Sequence, residues 1–285
     1  MNLIVKPDRA SGLTLIVLAL ALAAFVVANQ RVGTLKRDAI NPEFSVRLPV
    51  PAQIVMAVGD RHLAADLAEF RVLVADTFRM RPEDYALQAG LQRDIAFLNP
   101  AHEDNYYIAA AILPWGGQLD AAQYVLKQAA KARPMDYQPL FYYGFNLFHF
   151  QQNPVEGAAA LLRAVGHTHD VQDQMALQNT AALWMERGYS LAEAATRVAA
   201  MAKASPPGGF RKYLEVRANR LRTLDDLRVL ARTYERLNGR PLREIGDLVR
   251  SGLLETVPKD PLRVGFAVDA NGEPVFANAL RKAGQ

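Results

Sequence analysis

The 285-residue chain has no cysteine. That excludes disulfides, thiolate metal sites, a cysteine nucleophile and a lipid-modified N-terminal cysteine. It leaves the compartment open, because an envelope protein also functions without disulfides. H-E-x-x-H, G-x-S-x-G, a P-loop and a dinucleotide fingerprint are all missing, so no motif points to an enzyme. SPPGG, residues 205–209, lacks the lysine and the preceding strand of a phosphate cradle and reads as a turn. Charge of either sign is missing from Ser11 to Gln30.

That charge-free stretch, SGLTLIVLALALAAFVVANQ, is mostly Leu, Ala and Val. A bilayer core takes about 20 such residues as a helix. The chain is expected to have a short tail over 1–11, a transmembrane signal-anchor over 12–30 and a linker over 31–59. The linker contains Pro42, Pro49 and Pro51. The alternative is a removed signal peptide, with Lys6 and Arg9 ahead of the apolar run and Val26 and Ala28 as a small-residue cleavage pattern. Arg31, Lys36 and Arg37 after the run balance the charges before it, so the positive-inside rule does not set the orientation. A very short N-terminal tail is expected to stay inside. That places a single pass in the inner (cytoplasmic) membrane and the remaining chain in the periplasm.

Helical periodicity starts at residue 60. Asp60 is placed to cap a helix with Leu63, Leu67, Phe70, Leu73 and Val74 as its apolar stripe. Pro82 opens the next helix, with Tyr85, Leu87, Leu91, Ile95 and Leu98, and Pro100 follows it. Further helices are expected over 104–114, 119–132, 137–150, 154–166, 171–187, 190–203, 208–221 and 224–238. Nothing between 60 and 240 reads as a strand. The tail, 241–285, holds a short helix, REIGDLVRSGLL, and then a hairpin. Val264, Phe266 and Val268 alternate, Asn271-Gly272 is a strong turn signal, and Val275 and Phe276 follow. Two strands alone are marginal, so the hairpin is expected to pack on the last helices.

Pro100 and Pro134 lie 34 residues apart, and Pro206 lies 72 beyond Pro134. Three segments share a spacing. The first has Tyr106, Ala109-Ala110, Leu113, Ala122, Leu126 and Pro134. The second has Leu140, Tyr143-Gly144, Leu147, Gly157 and Leu161. The third has Leu177, Thr180-Ala181, Trp184, Ala194, Val198 and Pro206. This resembles the tetratricopeptide repeat. Repeats two and three each carry one extra residue between their helices, and repeat two lacks its closing proline. The resemblance implies an all-α fold over 60–240: a right-handed α-solenoid of antiparallel helix pairs, with the first helix of each pair lining a concave groove. Helix pairs of this kind stack because none buries its apolar face alone.

His102-Glu103-Asp104 could suggest a metal or acid/base site. Neighbouring helical residues point in different directions, however, and carboxylates suit a helix N-terminus, at ~0.3–1 kcal/mol each. The stretch is therefore expected to begin a helix. His167-Thr168-His169-Asp170 could hold zinc, but the favoured reading is a polar loop with Asp170 capping the next helix. No cofactor and no metal site are expected.

Two surfaces are candidates for binding. Phe141, Phe145 and Phe148 share a helix face, and Tyr107 would extend it along the groove. These four either form an open partner-binding groove or pack against neighbouring elements. Residues 211–250 hold eleven Lys and Arg against six Asp and Glu. Arg228, Arg232, Arg236 and Arg240 recur there at i+4 as a basic ridge. That ridge is either a solvated helix face or a dock for an acidic partner or anionic headgroups. Aromatic interleaving is sparse, so nucleic acid is not expected, and a small-molecule substrate is not expected either. The functional expectation is a membrane-anchored scaffold that binds partner proteins of an envelope or membrane complex. The alternatives are a permanently integrated subunit of a larger, secretion- or pilus-like machine and, further off, a zinc-dependent enzyme.

Overall fold

The structure is a computed structural model and describes residues 9–34, 46–76 and 80–279, with side chains of the first helix given over 17–31. Most of the expected N-terminal tail, the linker over 35–45 and the last six residues fall outside the described residues. The fold is mostly helical. Its helices are α1 (Arg9–Thr34), α2 (Val50–Met56), α3 (Arg61–Leu73), α4 (Pro82–Leu98), α5 (Glu103–Ile112), α6 (Leu119–Ala132), α7 (Gln138–His149), α8 (Pro154–Ala164), α9 (Val171–Gly188), α10 (Leu191–Ala204), α11 (Gly209–Asn238) and α12 (Gly246–Arg250). The strands are β1 (Phe266–Val268) and β2 (Pro274–Phe276). From α3 to α11 each helix packs on its neighbour in sequence, and α5 also touches α7.

α1 covers the expected span. Among the described residues no helix is long and apolar enough to cross a membrane. Helix over 12–30 is therefore shown, and passage through a bilayer belongs to the proposed function.

The expected linker over 31–59 contains a helix. Pro51 sits in the first turn of α2, where its missing N–H costs nothing. The chain before α2 is also pinned: Arg47 forms a two-bond ion pair with Asp94 at 2.6 and 2.8 Å. Gln53 donates to the Leu48 carbonyl at 2.8 Å.

Asp60 caps α3 as expected, accepting from the N–H groups of His62 and Leu63. The burial of α3 is the reverse of the expected one. Ala64, Ala65, Ala68 and Val72 face Leu91, Ile95 and Leu98 of α4, while Leu63, Leu67, Phe70, Leu73 and Val74 point outward. Small residues let α4 approach closely, so the alanine face goes in and the bulky face stays out.

At the repeat positions the structure is dense. Tyr106, Ala109, Leu113, Ala122 and Leu126 are fully buried, as are Leu161, Ala181 and Val198, and Leu177, Trp184 and Ala194 are nearly so. At Gly144 a Cβ would lie 2.6 Å from Leu161 Cδ1 and 2.9 Å from the Gly157 carbonyl oxygen. Only glycine admits this approach of α7 to α8.

The two expected helices 208–221 and 224–238 are one 30-residue helix, α11. Neither Gly nor Pro interrupts it before Gly239, which takes the left-handed conformation at its C-terminus. The expected C-terminal helix shrinks to α12. The hairpin forms, with Phe266 opposite Phe276 and Val268 opposite Pro274. Asp269 accepts from the N–H groups of Asn271 and Glu273, and Gly272 is left-handed at φ 82°, closing a short loop. The hairpin packs on α11, with Phe266 and Val268 against the cluster of Leu227 and Leu248.

Candidate partner-binding groove

α5 and α7 lie side by side and leave an apolar groove of about 540 Å³ between them. Its walls include Tyr107, Ile108 and Ala111 from α5 and Phe141, Tyr142 and Phe145 from α7. Three of the four aromatic residues singled out from the sequence thus come together. Phe141 and Tyr142 form a ridge. On its far side a second pocket, about 190 Å³, continues to Asp173, Ala176 and Thr180 of α9. The two pockets together form a trough across α5, α7 and α9.

The rings brace one another. Tyr106 and Tyr107 stack with centroids 4.5 Å apart, and Tyr142 meets Tyr107 edge-on at 6.1 Å. Phe145 stacks on His149 at 5.3 Å, and Trp115, exposed at the rim, meets Phe150 edge-on at 4.8 Å. Tyr107 donates its hydroxyl to Gln138. Asn146 at the floor is buried and donates to Gln123 at 3.3 Å.

A charged knot supports one end. The Tyr106 hydroxyl donates to Asp136 at 2.7 Å, and Arg133 bonds Asp136 at 2.8 Å and Glu103 at 2.7 Å. Burial works against the Asp136 carboxylate, but the bonds from Tyr106, Arg133 and the Gln138 N–H outweigh it and hold its pKa down. Burial, followed by the nearby Tyr107 and Asp136, pushes the Tyr142 phenol up. Burial likewise raises the Tyr106 phenol, aided by its bond to Asp136. These phenols stay neutral at physiological pH. The lining is hydrophobic, with hydroxyl and amide groups at its edges. It is equipped to bind an apolar chain and to orient it by a few hydrogen bonds.

Phe148 does not join the groove. It turns away and stacks on Trp184, centroids 4.5 Å apart, with the Arg187 guanidinium 5.3 Å from its ring. Phe141 and Phe145 are half-buried, each with one side against the α8–α9 cluster. The two expectations from sequence, open groove and packed cluster, both describe part of what these rings do.

The expected basic ridge is not one surface. Arg228 is held under the hairpin, donating to the Pro274 carbonyl at 3.0 Å and pairing with Glu273 at 3.3 Å. Arg232 and Arg236 are exposed. Arg240 lies beyond the end of α11 and folds back over the Tyr234 ring at 5.6 Å. The ridge breaks because the helix ends at Asn238 and the hairpin covers its first member.

A different set of arginines meets instead. Arg187, Arg217, Arg220 and Arg228 line a cleft of about 740 Å³ between α9, α11 and the hairpin. Arg217 pairs with Glu186. Arg220 lies 3.7 Å from the Phe276 ring, and its Nε is 2.9 Å from Asp260, close but not aligned as a hydrogen bond. Asp260 accepts from the N–H groups of Leu262, Val264 and Gly265. Burial opposes its charge, but these bonds and Arg220 prevail and hold its pKa down. Sequence reasoning passed over Arg217, Arg220 and Asp260. The available signal was the spacing of Arg217, Arg220 and Arg228 around the apolar stripe of α11.

The two polar motifs behave as local structure. His102 is the N-cap residue of α5 and its Nε2 lies 3.3 Å from Asp66, while Glu103 turns to Arg133. Asp170 caps α9, accepting from Gln172 and Asp173 at 2.7 and 3.0 Å. Among the described residues no three metal-ligating side chains converge. No family model, no curated protein and no solved structure matches the chain.

Proposed function

We propose that the chain is a membrane-anchored scaffold of tetratricopeptide type that holds a partner protein in the trough across α5, α7 and α9. The trough is the observation that carries this reading. It is apolar, half-open and braced by stacked rings, and its walls come from the helices that line the concave side in the resembling family. The helix-to-neighbour packing from α3 to α11 and the buried repeat positions support a solenoid, which the resemblance makes right-handed. The charge-free run over 12–30 supports a membrane span. The partner is then a subunit of an envelope or membrane complex, held near the bilayer by α1.

The test compares full-length protein purified from native membranes with a Phe141→Ala/Phe145→Ala variant, after circular dichroism confirms that the variant folds. A buried aromatic anchor contributes about 2 kcal/mol or more, roughly thirtyfold in affinity. Loss of a co-purifying protein from the folded variant is the expected result. Retention by both proteins would overturn the groove as the working surface and favour a permanently integrated subunit.

A further inference from the structure

α3 carries its large apolar side chains on the outside. Leu63, Leu67, Phe70 and Val74 recur at i, i+4, i+7 and i+11, so they share one helix face, and they are 44–63% exposed. Leu73 flanks them at 55%. The end of α2 adds Val55 and Met56 at 76% and 68%, and the turn after it adds Val58 at 93%. Val58 is β-branched and left-handed at φ 55°, in a turn closed by the bonds from its own N–H to the Val55 carbonyl and from Gly59 N–H to the Ile54 carbonyl. Single exposed apolar residues are ordinary, whereas eight on one short module are not.

The course of the chain indicates what covers this face. Eleven residues, 35–45, separate the end of α1 from Val46. Fully extended they reach at most about 40 Å. Val46 arrives on α3 itself, where Arg71 donates to its carbonyl. The helical domain therefore joins its tether at the module that bears the exposed face. The tether carries Lys36 and Arg37, and Arg31 closes the last turn of α1. These cations suit anionic headgroups. Asp66, at the edge of the face, has the His102 ring beside it at 3.3 Å. An apolar helix face held this close to a bilayer has the form of an in-plane, interfacial helix.

We propose that the outward face of α2 and α3 rests in the headgroup layer of the membrane that α1 enters, so that the domain lies against the bilayer in a fixed orientation. The proposal rests on the reading of α1 as a span. It gives the scaffold a defined posture, with lipid as the partner of one face and protein as the partner of the trough.

Because the chain has no cysteine, single cysteines report without background. Full-length Leu67→Cys and Phe70→Cys variants are labelled with an environment-sensitive fluorophore and reconstituted in phosphatidylcholine–phosphatidylglycerol vesicles. Leu22→Cys in α1 reports on the span, and Leu237→Cys, at a site 71% exposed on α11, reports on water. Labels at 67 and 70 are expected to be blue-shifted and quenched severalfold by lipids brominated near the headgroup, while the label at 237 responds only to aqueous iodide. Iodide quenching at 67 and 70 equal to that at 237 overturns the proposal. So does a blue shift without bromine quenching accompanied by cross-linking between copies, which would mark a protein interface. If the label at 22 also lies in water, the span reading fails. If it lies in lipid while 67 and 70 do not, only the posture fails.

Discussion

Gly144→Ala tests the packing on which the groove depends. α7 supplies Phe141, Tyr142 and Phe145, and its distance from α8 is set by the facing pair Gly144 and Gly157. A methyl at 144 would meet Leu161 Cδ1 at 2.6 Å and the Gly157 carbonyl oxygen at 2.9 Å. The Leu161 contact could be relieved by a rotamer change, but that side chain is fully buried and its neighbours leave little room. The carbonyl belongs to the backbone of α8 and moves only if the helix moves. Overpacking of this kind costs about 1–3 kcal/mol. Alanine in place of glycine within a helix returns about 1 kcal/mol. With a backbone clash, the cost belongs in the upper part of its range, and the expected net loss is about 1–2 kcal/mol. For a domain of this size that lowers Tm by roughly 2–8 °C.

Gly209→Ala is the matched control, since nothing lies within 4 Å of its added Cβ and it opens α11. It is expected to be neutral or stabilising. Thermal and urea unfolding of the full chain, followed by circular dichroism, measure both. Adding Gly157→Ala to Gly144→Ala should cost less than the sum of the two, because helices already forced apart admit the second methyl. A Gly144→Ala protein as stable as the parent would refute the close approach and, with it, the geometry that places the aromatic ridge.

Three further outcomes are expected. Glu69 is buried with both carboxylate oxygens unpartnered, and burial, helped by Asp104 and Asp66, lifts its pKa from 4.5 to about 7. Its folded pKa lies above the unfolded one, so the stability Glu69 contributes is fully present below pH 4.5 and falls by about 3 kcal/mol as pH rises to 7, opposite in sign to the contributions of Asp136 and Asp260; Glu69→Gln should remove that component of the slope in urea titrations. Val257 is 50% exposed, so Val257→Cys should react with a membrane-impermeant maleimide in intact cells; Ser205, at 2%, would be a misleading site, and silence at 257 would place the domain inside. Partner capture by the trough should persist from 0.1 to 1 M salt, because apolar burial is not screened; a steep loss would redirect attention to Arg232 and Arg236.

The helix series was legible because its boundaries are chemical. Asp60 and Asp170 have side chains that satisfy helix N-termini, and Asn271-Gly272 supplies a turn that strands cannot. The buried stripe of α5 was legible too, because small and large residues alternate at the spacing of stacked helix pairs. α3 was misread for a reason that periodicity cannot repair. A period identifies two opposite faces, and the larger side chains were assigned to the core. The core took the alanines, because α4 supplies Leu91, Ile95 and Leu98 and needs a close, smooth surface to meet. Phe148 went astray similarly. Its spacing puts it near Phe145, but Trp184 on α9, 36 residues further on, supplies a better ring to stack against.

The fate of the arginines bears on which surface works. A ridge read from spacing alone assumes that every member faces solvent. The hairpin, 46 residues beyond Arg228, changes this by landing on α11 and turning Arg228 into a clamp on the Pro274 carbonyl. Arg220 packs on Phe276 beside Asp260, and Arg217 is tied to Glu186. Each of these three charges already has an opposite charge within reach, so they have less to offer a partner than the exposed Arg232 and Arg236. Their role is to fasten a two-stranded element that would be marginal alone. Among the described residues the aromatic trough has no such internal claimant along its open side: Tyr107, Phe141 and Phe145 line it and leave about 540 Å³ of apolar space. Buried charge here closes the C-terminal end of the helix series, and the unfilled apolar surface is the one that the proposed partner would cover.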